Sequence, residues 1–444
     1  MRILLLKIIF PLLAFTSFIN PFYGIINYTF ISVIRPEQLT YGIPSIANVF
    51  AIAIALLFTA SLIKGERLLD SLKTSYFKYY LGFIIAIYIS TLISPYTDYS
   101  ETNGSIYHLN FIPQTMVFCL CLYAVLLRLK EKEIQKYLIL KVFFFLFMAV
   151  WGIQQYTRGN TLVEGLFGTA IIDRCAITGV FVLYLPLSIY FIKKQERLQK
   201  YFGVFCFVAF LCIIVMTQSR AGFLGMCLSM LAVFYFSRRK AMMAAFAVVI
   251  ILIALPFVPD SYFGRIGNIK SQDIQGDEIT DYSSASRLLL WKVGLKVFAS
   301  NPLLGIGNLN FSKASREHAS EYAGIVDNRL YETTFGSGGK RGLSHTHNTY
   351  LNILVEGGLL AAIPYYILLF LPLWKGYKLN KKYRDLSEGD IDLINLLNCG
   401  ILGFLVAAFF ANLIFIDYVY WNLTLSYFLS QRLEAKQFPS GNSG

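Results

Sequence analysis

The chain contains few charged residues and long stretches without any. Only 15% of its 444 residues are Asp, Glu, Lys or Arg, whereas 56% are hydrophobic. A soluble core needs far less apolar sequence, so this composition indicates a polytopic membrane protein. Because a membrane helix needs about 20 residues, the chain has room for about a dozen spans.

Features that would indicate other classes are also scarce. None of the seven cysteines falls in the long polar stretch 258–344, so we expect no disulfide framework. The formal charge of +13 is spread over short clusters between apolar runs, which is typical of topology signals and argues against nucleic acid as a partner. No internal repeat is visible.

Twelve apolar runs suit membrane helices, the structure that satisfies every backbone polar group within lipid. They lie at about 3–34, 45–63, 79–94, 110–127, 137–157, 175–192, 201–216, 221–236, 241–257, 349–373, 393–414 and 417–431. The first run is too long for one straight span, and Pro11 and Pro21 are positions where it can kink or split into a hairpin. No small-residue cleavage site follows it, so we interpret it as a retained span or signal anchor.

Lysine and arginine between the runs predict the orientation. One set of connections is dense in these residues, and the alternate set is nearly free of them. Basic loops stay in the cytoplasm, so twelve spans with both termini in the cytoplasm are predicted. We expect spans one to nine in residues 1–257, a periplasmic loop in 258–344, spans ten to twelve in 345–431, and a cytoplasmic tail in 432–444.

The periplasmic loop carries one segment with helical periodicity. SASRLLLWKVGLKVFASNP (284–302) has apolar residues three and four positions apart, which predicts an amphipathic helix on or near the outer surface. GIGNLNF (305–311) and TTFGSGGKRG (333–342) are expected to be loops, the second a mobile one. We expect no separate soluble domain.

With this topology, three arginines and two histidines fall at the external interface: Arg174, Arg220, Arg287, His345 and His347. Arginine binds phosphate oxygens bidentately, and histidine can take a proton from a hydroxyl. Such a set suits a lipid-linked pyrophosphoryl sugar, which brings its own leaving group to a compartment without nucleotides. Each residue also has a simpler interpretation, as an anchor at the interface or a helix cap.

The two histidines are expected to differ. If the tenth span already includes both, their side chains lie about 200° apart around the helix and His345 points away from His347. If it precedes the span, His345 is a loop residue, and in both cases we expect it to have no catalytic role. No metal or other cofactor is implied, because no DxD-type pair adjoins the cations and the acids in QDIQGDEITD (272–281) are expected to be solvated.

Several segments resemble the O-antigen ligase and polymerase superfamily. SRLLLWKVGLKVFASNPLLGIGNLNF (286–311) carries that family's S-R-x-x-x-W segment and P-L-x-G-x-G turn. HTHNTYLNILVEGGLLAAI (345–363) carries its H-N-x-Y-L-x-x-x-x-E-x-G segment. TQSRAG (217–222) matches its T-x-S-R-(A/G) turn, and the segment led by Arg174 is similar to its arginine-led helix. The resemblance covers roughly residues 170–375.

The resemblance implies a metal-independent, inverting glycosyltransferase with a GT-C-like helical fold. His347 would be the general base that activates the acceptor hydroxyl. Arg220 and Arg287 would hold the undecaprenyl pyrophosphate of the donor, with Arg174 as a third contact.

Three further residues are implied to shape the pocket: Asn348, Tyr350 and Glu356. Glu356 would orient a neighbour, or it is a capped or paired carboxylate within the membrane.

This hypothesis does not determine the identity of the acceptor. IRPEQLTYG (34–42) is similar to the branch associated with exopolysaccharide export and O-glycosylation. We expect a ligase at the outer face of the bacterial inner membrane that uses the lipid A core of lipopolysaccharide as acceptor. A polymerase of repeat units, a protein O-glycosylation ligase and a transporter or flippase are alternatives. The lack of duplicated halves and the small number of charged residues within the spans disfavour transport.

Overall fold

A computed structural model describes residues 12–13, 15–34, 47–96, 109–159, 174–237, 240, 282–336, 345–383 and 388–437. These residues form helices and connecting turns, with no strand among them. The all-helical prediction is therefore confirmed for this part of the chain. The predicted span at 241–257 and the acids of 272–281 lie outside it.

The described residues include fifteen α-helices and a short 3-10 helix, Ala319–Tyr322. The α-helices are α1 Pro21–Ile34, α2 Ala47–Ile63, α3 Leu68–Leu72, α4 Ser75–Leu92, α5 Phe111–Leu126, α6 Glu131–Thr157, α7 Arg174–Ile192, α8 Arg197–Met216, α9 Arg220–Phe236, α10 Tyr282–Ser300, α11 Phe311–Glu317, α12 Asn328–Phe335, α13 Thr349–Lys382, α14 Glu388–Ala408 and α15 Asp417–Gln437. Apart from the first run, each predicted apolar run within the described ranges coincides with one of them.

Five of these helices are long and apolar enough to cross a membrane, namely α6, α7, α8, α13 and α14. Four further apolar helices, α1, α2, α5 and α9, are shorter. A polytopic membrane protein fits this pattern. The count of twelve spans and their orientation stay predictions.

The first apolar run is split into a hairpin at Asn20. The Asn20 side-chain oxygen accepts a hydrogen bond of 3.0 Å from Phe22 N, which begins α1. Asn27 donates to Thr16 Oγ1 at 2.7 Å and to the Leu13 carbonyl. Residues this far apart in sequence are about 16 Å or more apart along a continuous helix, so the chain must fold back. Because the chain reverses its direction at Asn20, the location of the N-terminus in the cytoplasm stays a prediction.

Helix α7 lies at the centre of the bundle. Every residue from Cys175 to Phe191 is buried, and the helix packs on α8, α9 and α14. Glycines allow the backbones of α9 and α14 to meet: a Cβ on Gly225 would lie 2.4 Å from the Gly403 oxygen. Small residues at such crossings are typical of membrane helix pairs.

One buried cation lies within this bundle. Lys141 of α6 is 0% exposed, and its ammonium donates to Asn422 Oδ1 at 2.9 Å. The ammonium also lies 5.4 to 5.8 Å from the ring centroids of Tyr137, Tyr184 and Trp421. The expectation that few charged residues sit within the spans has this exception. A single lysine in an apolar run carries no periodic signal, so its burial emerges only from packing.

Residues 282–336, called here the cap segment, fold around a hydrophobic cluster of their own. Helix α10 covers most of the segment that was predicted to be helical, and it buries Leu289, Leu290 and Val293 against α11, α12 and the first turns of α13. The expected loop at 333–342 begins inside α12, which ends at Phe335. The cap segment is therefore more folded than expected, because its short helices bury their apolar residues only jointly.

Cysteine labelling tests the orientation. In a variant without native cysteines, Ser320→Cys on the exposed surface of the cap segment should react with an impermeant thiol reagent in sealed cells. Lys381→Cys, in the last turn of α13, should react only after the membrane is opened, because basic segments stay inside. Labelling of Lys381→Cys from outside would contradict the predicted orientation.

Candidate functional site

Helix α13 is interrupted at Gly358, where the backbone adopts φ +61° and ψ −169°. Residues 302–309 of the cap segment, called here the plug, fill this interruption. Four backbone hydrogen bonds of 2.8 to 3.1 Å join them, from Ile306 N to Val355 O, Gly307 N to Glu356 O, Leu359 N to Pro302 O and Leu360 N to Leu303 O. The segment expected to be a simple loop thus completes the hydrogen bonding of a broken helix, which lipid could not supply.

Glycines are required on both sides of this contact. A Cβ on Gly358 would lie 2.3 Å from the Leu303 oxygen, and one on Gly305 would lie 2.6 Å from the Glu356 carbonyl carbon. Both glycines have positive φ, which residues with a Cβ rarely adopt. The P-L-x-G-x-G and E-x-G patterns are therefore the two sides of one backbone contact.

We expect Gly358→Ala to lower the thermal stability of the purified protein clearly, because it combines backbone strain of about 1–3 kcal/mol with a steric clash. Gly65→Ala is the matched control, since Gly65 has φ +68° but no atom near its Cβ position. A melting curve in detergent compares the two variants. Equal shifts would mean that the close approach of the plug adds nothing to the strain.

His347 lies directly before α13 and not within it. Asn348 is the N-cap, and its side-chain oxygen accepts hydrogen bonds of 3.0 Å from Tyr350 N and from Leu351 N. His347 has φ +52°, and its backbone N–H donates to His345 Nδ1 at 3.3 Å. The two imidazole rings meet edge to face, 4.3 Å between centroids. We expected His345 to point away from His347 if both residues were part of the helix. The helix begins only after both of them, and the two rings are neighbours.

Three hydrogen bonds hold the residue before His347. Thr346 N donates to Asn352 Oδ1 at 3.2 Å, and Thr346 O accepts from Trp291 Nε1 at 3.1 Å. The Thr346 hydroxyl donates to the Asn348 carbonyl at 2.9 Å. A residue with positive φ persists where its surroundings over-determine the backbone. The conformation of His347 is held in this way.

One side of α10 connects the arginines with this segment. At one end, Arg220 Nη2 donates to Ser284 Oγ at 3.2 Å. At the other end, Trp291 binds Thr346. Residues at positions i, i+3 and i+7 share a helix face, so Arg287 lies between the two contacts, which are about 10 Å apart along the axis. The fold therefore brings Arg220, Arg287 and the His347 segment to one side of α10.

Arg174 begins the neighbouring helix α7. The Thr178 hydroxyl bonds the Arg174 carbonyl and Thr217 Oγ1, both at 2.6 Å. A Cβ on Gly222 would lie 2.0 Å from the Thr178 methyl group, so the first turns of α7 and α9 are in contact. Arg174 and Arg220 thus open two adjacent, parallel helices.

The electrostatics of this region favour an anion. Arg174, Arg220 and Arg287 are all half-buried. Within the described ranges, no carboxylate forms an ion pair with Arg174 or with Arg287. Two helix N-termini add partial positive charge beside the guanidinium groups.

Tyr350 and Glu356 serve the framework around the site. The Tyr350 hydroxyl donates to Leu405 O at 2.8 Å, which ties α13 to α14. Glu356 is buried and accepts hydrogen bonds from Leu309 N at 3.1 Å and Asn352 Nδ2 at 2.8 Å. Glu356 therefore contacts the plug, and its carboxylate is capped by two hydrogen-bond donors.

Sequence reasoning assigned no part in the site to Ser284, Trp291 or Asn352. The tryptophan was visible as part of the S-R-x-x-x-W pattern, and Asn352 and Glu356 form a polar pair four residues apart in an apolar helix. Ser284 gave no signal beyond its suitability as a helix cap.

Comparison with known proteins identifies a family that part of the chain resembles. A family model described as O-antigen ligase matches residues 205–366. This confirms the resemblance to the O-antigen ligase superfamily. The match extends from α8 into α13 and includes Arg220, Arg287 and His347, whereas Arg174 lies outside it. No curated protein matches the chain.

Proposed function

We propose that this protein is a membrane glycosyltransferase that moves a glycan from undecaprenyl pyrophosphate to an acceptor hydroxyl. The observation that carries the proposal is the single face of α10, which contacts Arg220 at Ser284 and the His347 segment at Trp291. Arg287 lies between these contacts. This arrangement supports a site in which phosphate-binding cations and a base act on one substrate, and the O-antigen ligase match over the same residues supports this assignment.

The residues divide the reaction between them. The acceptor oxygen attacks the anomeric carbon of the donor sugar on the face opposite the pyrophosphate. The bond from that carbon to the pyrophosphate oxygen breaks, and its electron pair leaves with the lipid pyrophosphate. His347 takes the hydroxyl proton, and Arg220 and Arg287 offset the charge that develops on the leaving group. The anomeric configuration is inverted, and Arg174 is a third contact to the same anion.

The lipid A core of lipopolysaccharide is our preferred acceptor, at the periplasmic face of the inner membrane. Arg220 and Arg287 act on the donor, and His347 takes a proton that every acceptor hydroxyl carries. A glycan acceptor and a protein acceptor therefore differ only at surfaces beyond these residues. The surface-glycan profile of a deletion strain distinguishes these acceptors. Lost attachment with accumulating lipid-linked polymer supports the ligase, single repeat units indicate a polymerase, and loss confined to glycoproteins indicates a protein ligase. A strain with unchanged glycans would contradict all three.

Activity on a lipid-linked donor should survive chelation. In the proposed mechanism, guanidinium groups and not a metal ion neutralise the negative charge of the leaving group. EDTA should therefore leave the transfer rate of the purified protein unchanged. The measurement is in vitro transfer before and after chelation. Loss of activity that magnesium or manganese restores would contradict the metal-independent mechanism and direct attention to Asp273, Asp277, Glu278 and Asp281.

A further inference from the structure

A buried chain of hydrogen bonds connects the His347 segment with the plug. Thr346 N donates to Asn352 Oδ1, Asn352 Nδ2 donates to Glu356 Oε2, and Leu309 N donates to Glu356 Oε1, at 3.2, 2.8 and 3.1 Å. The side chains of Asn352 and Glu356 are 1% and 3% exposed. Both lie in the short helical part of α13 that precedes Gly358.

The two ends of this hydrogen-bond chain lie in the two segments that carry the candidate site. Thr346 precedes His347 directly, so its N–H bond to Asn352 helps set the position of the imidazole. Leu309 is the last residue of the plug. The plug follows α10, the helix that carries Arg287, and one residue separates the plug from the end of α10. Relative movement of the two segments would change the distance between base and cation without unfolding either.

The donors and acceptors in this chain match in only one pattern. Both ends are backbone N–H donors, so an acceptor must face each of them. Asn352 supplies one acceptor and one donor, and the Glu356 carboxylate supplies two acceptors. A second amide in place of Glu356 would force two donors to face each other, whichever way the amides turn. A second carboxylate in place of Asn352 would leave two acceptors facing each other unless the two groups shared a proton.

We propose that Asn352 is a positioning residue that, through Glu356, sets His347 relative to Arg287. This inference rests on the proposed function and deepens it. Buried polar groups in an apolar helix are costly unless satisfied, and here their hydrogen bonds go to the two segments that carry the site. His347 itself has a backbone conformation that needs such external support.

Exchanging the two side chains tests the proposal. Glu356→Gln alone creates the donor–donor contact. Asn352→Asp together with Glu356→Gln restores every hydrogen bond, because the carboxylate accepts from both Thr346 N and the new amide, whose oxygen accepts from Leu309 N. We expect the single variant to lose about 10²-fold in kcat with little change in the KM for donor, since small misplacements cost this much. The double variant should recover most of the rate, a strong departure from additivity.

A second readout needs no activity. Hydrogen–deuterium exchange in 302–311 and 345–352 should rise in Glu356→Gln and return to the wild-type level in the double variant. Asn395→Asp is the matched control, because this buried amide on α14 binds Asn380 far from the site and should alter neither readout.

The outcomes separate the two proposals. A double variant that restores neither exchange protection nor kcat would overturn the hydrogen-bond chain. Restored protection with unchanged kcat in all variants, while His347→Ala is inactive, would overturn positioning and leave a structural contact. Full activity of His347→Ala would contradict the proposed function. The hydrogen–deuterium exchange measurement would still test the hydrogen-bond chain independently.

Discussion

Replacing His347 by alanine is expected to lower the transfer rate by about 10²–10⁴-fold, the usual contribution of a general base. The imidazole lies outside the N-terminus of α13, beside the segment that Trp291 holds against α10. Its loss removes the proton acceptor and leaves Arg220 and Arg287 in place. Donor binding should therefore persist, which in vitro transfer and binding of a labelled lipid pyrophosphate measure in parallel.

Two other histidines serve as controls for this variant. His345→Ala should retain substantial activity, because His345 supports the His347 backbone and ring without replacing its chemistry. His318→Ala should behave as wild type, since His318 pairs with Glu321 on the cap segment. If His347→Ala transfers at the wild-type rate, the histidine is an interfacial anchor and the mechanism is wrong.

Arg220→Ala and Arg287→Ala should each remove most of the activity while the protein stays in the membrane at its normal level. Each guanidinium is expected to bind the pyrophosphate through two parallel hydrogen bonds, which alanine cannot replace. Lysine should rescue only partly, because its point charge does not reproduce the planar fork. Transfer and donor binding should fall together in the alanine variants, in contrast to His347→Ala.

Arg316→Ala is the matched control, an exposed arginine of the cap segment whose guanidinium binds only the Ser312 hydroxyl among the described contacts. It should leave transfer unchanged. Full activity of both Arg220→Lys and Arg287→Lys would reduce the two arginines to general contacts with lipid headgroups.

Local properties of the chain were predictable from the sequence. Apolar runs of sufficient length predicted the helices, and the periodicity of 284–302 predicted α10, because hydropathy and helical spacing are read over a few turns. The resemblance named Arg220, Arg287 and His347 before their arrangement was known. The hairpin at Asn20, the burial of Lys141 and the start of α13 after His347 were not predictable in detail, since each depends on a partner elsewhere.

The sequence by itself determined that this protein is helical, that it is suited to a membrane, and which cations and imidazoles are available for chemistry. Only the tertiary structure decided that residues 302–309 fill the interruption at Gly358 and that α10 joins Arg220 to the His347 segment. The decisive hydrogen bonds connect residues 47, 55 and 64 positions apart in the chain. Packing selects such partners, because hydropathy and helix propensity describe only neighbours within a few turns.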